Sequence, residues 1–519
     1  MKATSSRSYL SSPGIAAVVL LFVLGLSIRL YDLTDLPLDF HPTRQLLSAL
    51  KARGMYYQGR TDVPDWQRKF AVQQWKSKAE IEPEIVERLV AFTYRFTGEQ
   101  LWIGRIYSSI FWLIGGLFLY LLACDLSSPV GGLLALAFYL FLPYAVIASR
   151  SFQPDPLMVM FTIAFWWAVN RWAMTLGLRD SAAPARTTSA GVRWAILTGL
   201  LGGLAILVKF SAAFFVIGGG LGAVLGREPL GKALRRPALW MMAVLGVLPG
   251  LLYLVYGVFI AGFLARQFGG RFIPSLLVSP SYYLNWISTL NHVLGVAVVA
   301  LALLGLFFFR QRSGFIFVLS LWAAYLLYGL YFDYHIWSHG YYNLPLIPLA
   351  ALSLSAGADR LGAEMSAAAS SAGLLRSAAL AILALGLFAV LWDVRSILKS
   401  VDYRPEASVW AEIGQALGPD ARLVALTQDY GSRLAYWGWL DPAVWPLAGD
   451  LAYHVGLRGA QDDFEKQFDA LALKRDFFLV TLPDELESQP LLKERLAAYP
   501  LYRQGTGYVI YDLREGRAP

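Results

Sequence analysis

Long apolar runs separated by short polar breaks occupy the chain up to about residue 400, and their lengths match membrane crossings. Runs able to cross about 30 Å of hydrocarbon as helix fall at 14–30, 101–123, 129–148, 156–176, 238–262, 287–309, 314–332, 341–357 and 374–393. The stretch 192–225 would be roughly 50 Å long as a single helix, and Lys209 interrupts it near the middle. It reads as two short spans meeting at Lys209, which brings the expected number of transmembrane helices to about 11.

Two regions break this pattern. In the loop 31–100, Pro42 can open a helix at its first position, placing Leu46, Leu47, Leu50 and Tyr57 on one face. Pro83 can open a second, with Ile85, Val86, Leu89, Phe92 and Phe96 on one face and Gly98 as its stop. Both are expected in the membrane interface, and the charged stretches 62–66 and 69–78 between them read as a mobile loop. From about 401 the hydropathy falls. Strand-length runs at Arg422–Leu426, Asp476–Thr481 and Gly507–Tyr511 alternate with helical stretches near 405–417, 461–473 and 489–498. The expected architecture is a polytopic α-helical membrane domain, 1–400, followed by a small extracytoplasmic α/β domain, 401–519.

Composition supports membrane residence. The chain is 57% hydrophobic and 15% charged, with 17 tryptophans, which is more apolar surface than a soluble protein could bury. The net charge of +8 is scattered through inter-span loops, which speaks for topology and lipid phosphate and against nucleic acid. With the N-terminus cytoplasmic, the loops carrying Arg171, Arg179, Arg186, Arg227, Lys232, Arg235, Arg236, Arg310 and Arg312 fall inside. The short outer loops keep only Arg150, Lys209, Arg266 and Arg271, and an odd span count sends the C-terminus out. The first span lacks a small-residue cleavage site and is expected to stay as an anchor. One cysteine, Cys124, precludes an intrachain disulfide.

Polar residues that packing does not explain gather on the outer side: Asp39, His41, Arg44, Arg150, Gln153, Asp155, Lys209, Arg266, Arg271, Asp333, His335 and His339. Ionisable groups at a lipid boundary are costly unless paired or facing water, which makes them site candidates. Structural roles stand beside these. Asp39 and Asp155 are each placed to cap a helix, Lys209 can snorkel to the interface, and Arg105 beside Trp102 can be an interfacial anchor. His335 and His339 have the spacing of a helical metal pair, with a loop end at Gly340. The aromatic segment Tyr430–Trp439 can stack on sugars or simply pack.

The order of features resembles a known family. An acidic residue heads an outer loop with two amphipathic helices, Trp102-Ile103-Gly104-Arg105-Ile106 opens span two, an Asp lies in the second outer loop, and Lys209 and the segment His339–Pro348 follow. Over about 14–357 this set is similar to GT-C membrane glycosyltransferases of the protein O-mannosyltransferase and aminoarabinose lipid A transferase type, glycosyltransferase family 39-like. The resemblance implies Asp39 as catalytic base and maps the family's acid of the second outer loop onto Asp155. Members carry a second acid beside the first. Here Phe40 and His41 follow Asp39, and His41 is expected to take part of that role.

The implied reaction is inverting transfer of a hexose or pentose from a polyprenyl-phosphate sugar to a lipid, glycan or protein hydroxyl outside a prokaryotic plasma membrane. Arg44, Lys209, Arg271 and His339 would hold the donor phosphate, and a divalent ion is an open question. The rival reading, a lipid or glycan transporter or flippase, predicts half-to-half similarity and charge at mid-membrane, and neither is evident. A non-catalytic assembly subunit is the third reading.

Overall fold

The computed structural model describes residues 12–78, 81–176, 189–264, 272–367, 372–458 and 463–514. Two compact units result: Met1–Leu33, Ala79–Val86 and Ile103–Ser400 form one, and Thr34–Lys78, Glu87–Trp102 and Val401–Pro519 form the other. In chain order the first helices are α1 (Ser12–Leu30), α2 (Pro42–Tyr57), α3 (Asp65–Ser77), α4 (Ile85–Thr97), α5 (Trp102–Leu126), α6 (Pro129–Phe141), α7 (Pro143–Ser149), α8 (Asp155–Met174), α9 (Ser189–Val208), α10 (Ala212–Leu225), α11 (Leu230–Ala233) and α12 (Pro237–Val255).

Among the described residues, six helices are long and apolar enough to cross a membrane, or eight if each of two bent pairs is one crossing. That compares with the expected eleven. One bent pair is α6 and α7, set at 62°. The break falls at Leu142, which Pro143 holds in extended backbone (φ −51°, ψ 125°) because the proline ring clashes with a helical predecessor. The other joins Pro280–Val293 to Val296–Phe308 at 87°, turning at Gly295, whose φ of +88° disfavours any side chain. Helices Gly14–Leu30 and Ala212–Leu225 are apolar but shorter. The run 192–225 divides into α9 and α10 across Lys209–Ser211, as its length and charge predict.

Close helix approach in this unit depends on small residues. A Cβ on Gly203 of α9 would lie 2.4 Å from the Leu245 carbonyl oxygen of α12. On α10, Gly218 and Gly222 bring the backbone against the helix Arg312–Tyr331, where an added Cβ would meet Ala324 Cβ at 2.5 Å and Phe317 Cα at 2.9 Å.

In the second unit α2 crosses α3 at Gly54, whose added Cβ would meet Trp75 Cβ at 2.3 Å. Residues 65–77, expected as part of a mobile loop, are thus helical, with Ala71 and Gln74 buried. Charge on the outer face of α3 concealed its packed face. α2 is not an interfacial helix either, since Leu46, Ala49 and Leu50 are buried. α4 does present Leu89, Phe92 and Phe96 outward, the face expected at a membrane surface, and ends at Gly98 with φ +73°.

Five strands complete this unit: β1 (Leu423–Leu426), β2 (Ala443–Val444), β3 (Phe477–Val480), β4 (Leu501–Gly505) and β5 (Tyr508–Asp512). They form one sheet in the order β2-β1-β3-β5-β4, parallel across β2-β1-β3 and antiparallel across β3-β5-β4. Alternate residues feed two cores. Leu423, Ala425, Phe477 and Leu479 pack with Trp410 and Ile413 of helix Glu406–Leu417. Val424, Leu426, Phe478 and Val480 pack with Phe468, Leu492 and Leu496. Burial on both faces is why β1 and β3 read as continuous apolar runs. The helix expected from 461 begins at Phe464, and 461–462 lie outside the described residues.

Candidate functional site

The expected site residues divide between the units. Asp39, His41 and Arg44 lie in the second, while Asp155, Lys209, His335 and His339 lie in the first. Arg266 and Arg271 lie outside the described residues, as do Arg179 and Arg186.

In the second unit, Asp39 sits half-buried on the turn before α2. It is not the helix cap: that position is His41, in left-handed backbone (φ 42°, ψ 64°) and without a side-chain capping bond. The Gln45 amide, one turn into α2, reaches back to donate to Asp39 Oδ1 at 3.4 Å and to the Phe40 carbonyl at 2.7 Å. Arg44, half-buried, follows on the same first turn. Proline at the first helical position and a left-handed residue before it therefore swing the Asp39 turn against the start of α2.

In the first unit, Asp155 opens α8 and Lys209 ends α9, and the two meet in a buried ion pair of 2.7 Å. Lys209 is 7% exposed and Asp155 1%. The ammonium does not snorkel to the interface; it lies 4.9 Å from the centroid of Tyr341 and 4.8 Å from that of Tyr342. Asp155 Oδ2 and both amide atoms of Gln153 are buried without a hydrogen-bond partner. Such groups mark a place where water or a ligand completes the polar set. A recess of about 390 Å³ of empty space, part of it open to solvent, adjoins Lys209. Its wall includes Ile81, Glu82, Phe210, Phe332 and Tyr342, so among the described residues one cation, Lys209, and one acid, Glu82, stand among largely apolar surfaces.

His335 begins a single helical turn, His335–Ser338, and His339 follows it with Nδ1 2.8 Å from Ser338 Oγ. The two imidazole centroids are 5.4 Å apart. Two imidazoles fall short of the three protein ligands of a zinc-type site. Among the described residues no three His, Cys, Asp or Glu side chains gather to hold a metal ion. Asp333 serves the backbone, accepting from the amides of Ile273 and Tyr334 at 2.7 Å each. Burial pushes its carboxyl above the usual range while those amides pull it back.

Two other expectations change. Arg105 is 1% exposed, so it is a buried residue of α5 and not an interfacial anchor. Arg150 is also buried and donates to the carbonyls of Tyr31 and Asp32 at 2.8 and 2.9 Å, fixing the end of α1. Of the residues around Lys209, Glu82 had escaped notice. Its only signal was an acid before Pro83. Tyr341 and Tyr342 were visible only as part of the segment after His339.

Comparison with known proteins gives a family match for part of the chain and a fold match for nearly all of it. Residues 82–256, which hold Glu82, Asp155 and Lys209, match the model of the dolichyl-phosphate-mannose-protein mannosyltransferase family. A search of curated proteins returns no match. Among solved structures, ArnT from Cupriavidus metallidurans in the apo state is similar in fold, with TM-score 0.59 at 14% identity over 98% of this chain and 100% of that one. The same protein bound to undecaprenyl phosphate gives 0.57 at 15% identity, with the same coverage. The archaeal oligosaccharyltransferase AglB from Archaeoglobus fulgidus, in complex with an inhibitory peptide and a dolichol-phosphate, gives 0.57 at 12% identity over 98% of this chain and 75% of that one. The GT-C resemblance drawn from the residues is thus borne out, and the chain is an integral multi-pass membrane protein similar in fold to ArnT and AglB, with residues 82–256 matching the mannosyltransferase family model.

Proposed function

We propose that the chain is an inverting glycosyltransferase that moves a sugar from a polyprenyl-phosphate donor to a hydroxyl acceptor at the outer face of a prokaryotic plasma membrane. The observation that carries this reading is Lys209. Within the family-matched segment, one cation is held by a buried carboxylate at the edge of an apolar recess. That is the arrangement an amphiphile with an anionic head needs, because the apolar wall accepts the chain and the cation faces the phosphate.

In the proposed step Asp39 removes the proton of the acceptor hydroxyl. The hydroxyl oxygen forms a bond to the anomeric carbon, the bond from that carbon to the phosphate oxygen breaks, and the electron pair leaves with polyprenyl phosphate. Lys209 and His339 hold the charge of the departing phosphate, a role the sequence also assigns to Arg44 and Arg271, and His41 assists at the Asp39 turn. Asp155 orients Lys209, and its second oxygen is available to a substrate hydroxyl. Attack opposite the phosphate inverts the anomeric centre. A divalent ion would need ligands beyond the two imidazoles, and no step is assigned to one.

The test is release of undecaprenyl phosphate from donors carrying a pentose or a hexose, using detergent-purified protein. Asp39→Asn is expected to stop release while leaving the protein monodisperse. Release by Asp39→Asn at the wild-type rate would remove Asp39 as the base.

A further inference from the structure

The segment that follows the last membrane helix reaches the Asp39 turn by two routes. The first is direct. Buried Asp35 accepts from the backbone amides of Leu36 at 2.8 Å and Tyr403 at 3.0 Å through the same carboxylate oxygen, which ties Tyr403 to the turn carrying Asp39. The half-buried Tyr403 phenol lies within electrostatic reach of Asp39, Arg433, Asp35 and Glu406. Burial first, and the Asp39 carboxylate next, push that phenol above its usual range, with Arg433 acting the other way.

The second route passes through α2. Arg433 donates to Asp429 at 2.5 Å and to Glu406 at 2.9 Å, and Asp429 accepts from Thr43 Oγ1 at 3.2 Å. Thr43 is in the first turn of α2, the turn from which Gln45 reaches back to Asp39. Asp429, Tyr430 and Gly431 have successive φ values of 51°, 51° and 74°. Two non-glycine residues in that region are strained and persist only where their surroundings over-determine them. Here the strained turn carries the Asp429 carboxylate to α2.

We propose that Arg433 is a positioning residue for Asp39: by holding Asp429 against Thr43 it fixes the helix start from which Gln45 reaches that carboxylate. This rests on Asp39 being the base. The C-terminal α/β segment then takes part in the chemistry through the side chains it lends to the first loop.

Undecaprenyl phosphate release by the full detergent-purified chain tests this. Arg433→Gln should lower kcat about tenfold and leave donor KM within about twofold. Arg433→Lys should recover part of the kcat that Arg433→Gln loses. Thr43→Val combined with Asp429→Asn should fall no further than either alone, as coupled partners do.

Wild-type kcat in Arg433→Gln overturns the proposal. Run beside it, Asp39→Asn separates the two ideas. If Asp39→Asn is inactive while Arg433→Gln is indistinguishable from wild type, the base stands and only the positioning role is lost. If Asp39→Asn is active, the base falls, and the positioning role falls with it.

Discussion

At the scale of single residues, the Asp155–Lys209 pair sets the energetics of the first unit's candidate site. Both side chains are nearly fully buried, so removing one partner leaves an uncompensated charge, at a cost of about 3–5 kcal/mol. Lys209→Met and Asp155→Asn should each lower the thermal midpoint of the detergent-solubilised protein by several degrees. The double variant should regain part of the loss, because no charge is then stranded. A double variant less stable than either single would show that the two side chains do not act as a pair. Sequence alone placed both residues on a list of outer-side candidates, but not together. They are 54 positions apart, and nothing in a single chain's pattern states which break between spans meets which. Tyr403 carries no motif at all, and its link to the Asp39 turn runs through a backbone amide, which any residue type could supply.

At the scale of elements, hydropathy was enough to place the helices, because the membrane demands length and apolarity and little else. It was less able to show bends, which one proline and one glycine decide at Leu142 and Gly295. It missed α3, whose Trp75 and Ala71 pack against Gly54 beneath a face of Arg and Lys. It also missed β2, since two residues are too few to show a period of two. What holds the elements together is partly the small-residue seams. Gly203→Val should cost about 1–3 kcal/mol through overpacking against the Leu245 carbonyl. Leu200→Val, on the exposed side of the same helix, should stay within about 0.5 kcal/mol. Thermal unfolding in one detergent compares the two, and equal midpoints would remove the seam as a determinant of packing.

At the scale of the whole molecule, the orientation drawn from the basic loops predicts which positions face outward. In a Cys124→Ala background, Thr506→Cys on the β4–β5 turn and Lys232→Cys on α11 are both exposed positions. A membrane-impermeant maleimide applied to intact cells should label the first and spare the second until the membrane is opened, and the reverse pattern would invert the topology. The second unit is assembled from three stretches, and Lys78 is separated from Val401 by roughly 320 residues of chain. At synthesis rates of about 5–20 residues per second, that gap amounts to tens of seconds. Asp39 and its helix are therefore made early and must wait for their remaining partners, such as Arg433 and Tyr403, to emerge. Until then the loop exposes surface it will later bury, so ribosome stalling or a truncated message should leave an intermediate that quality-control proteases recognise, even with every membrane helix already inserted.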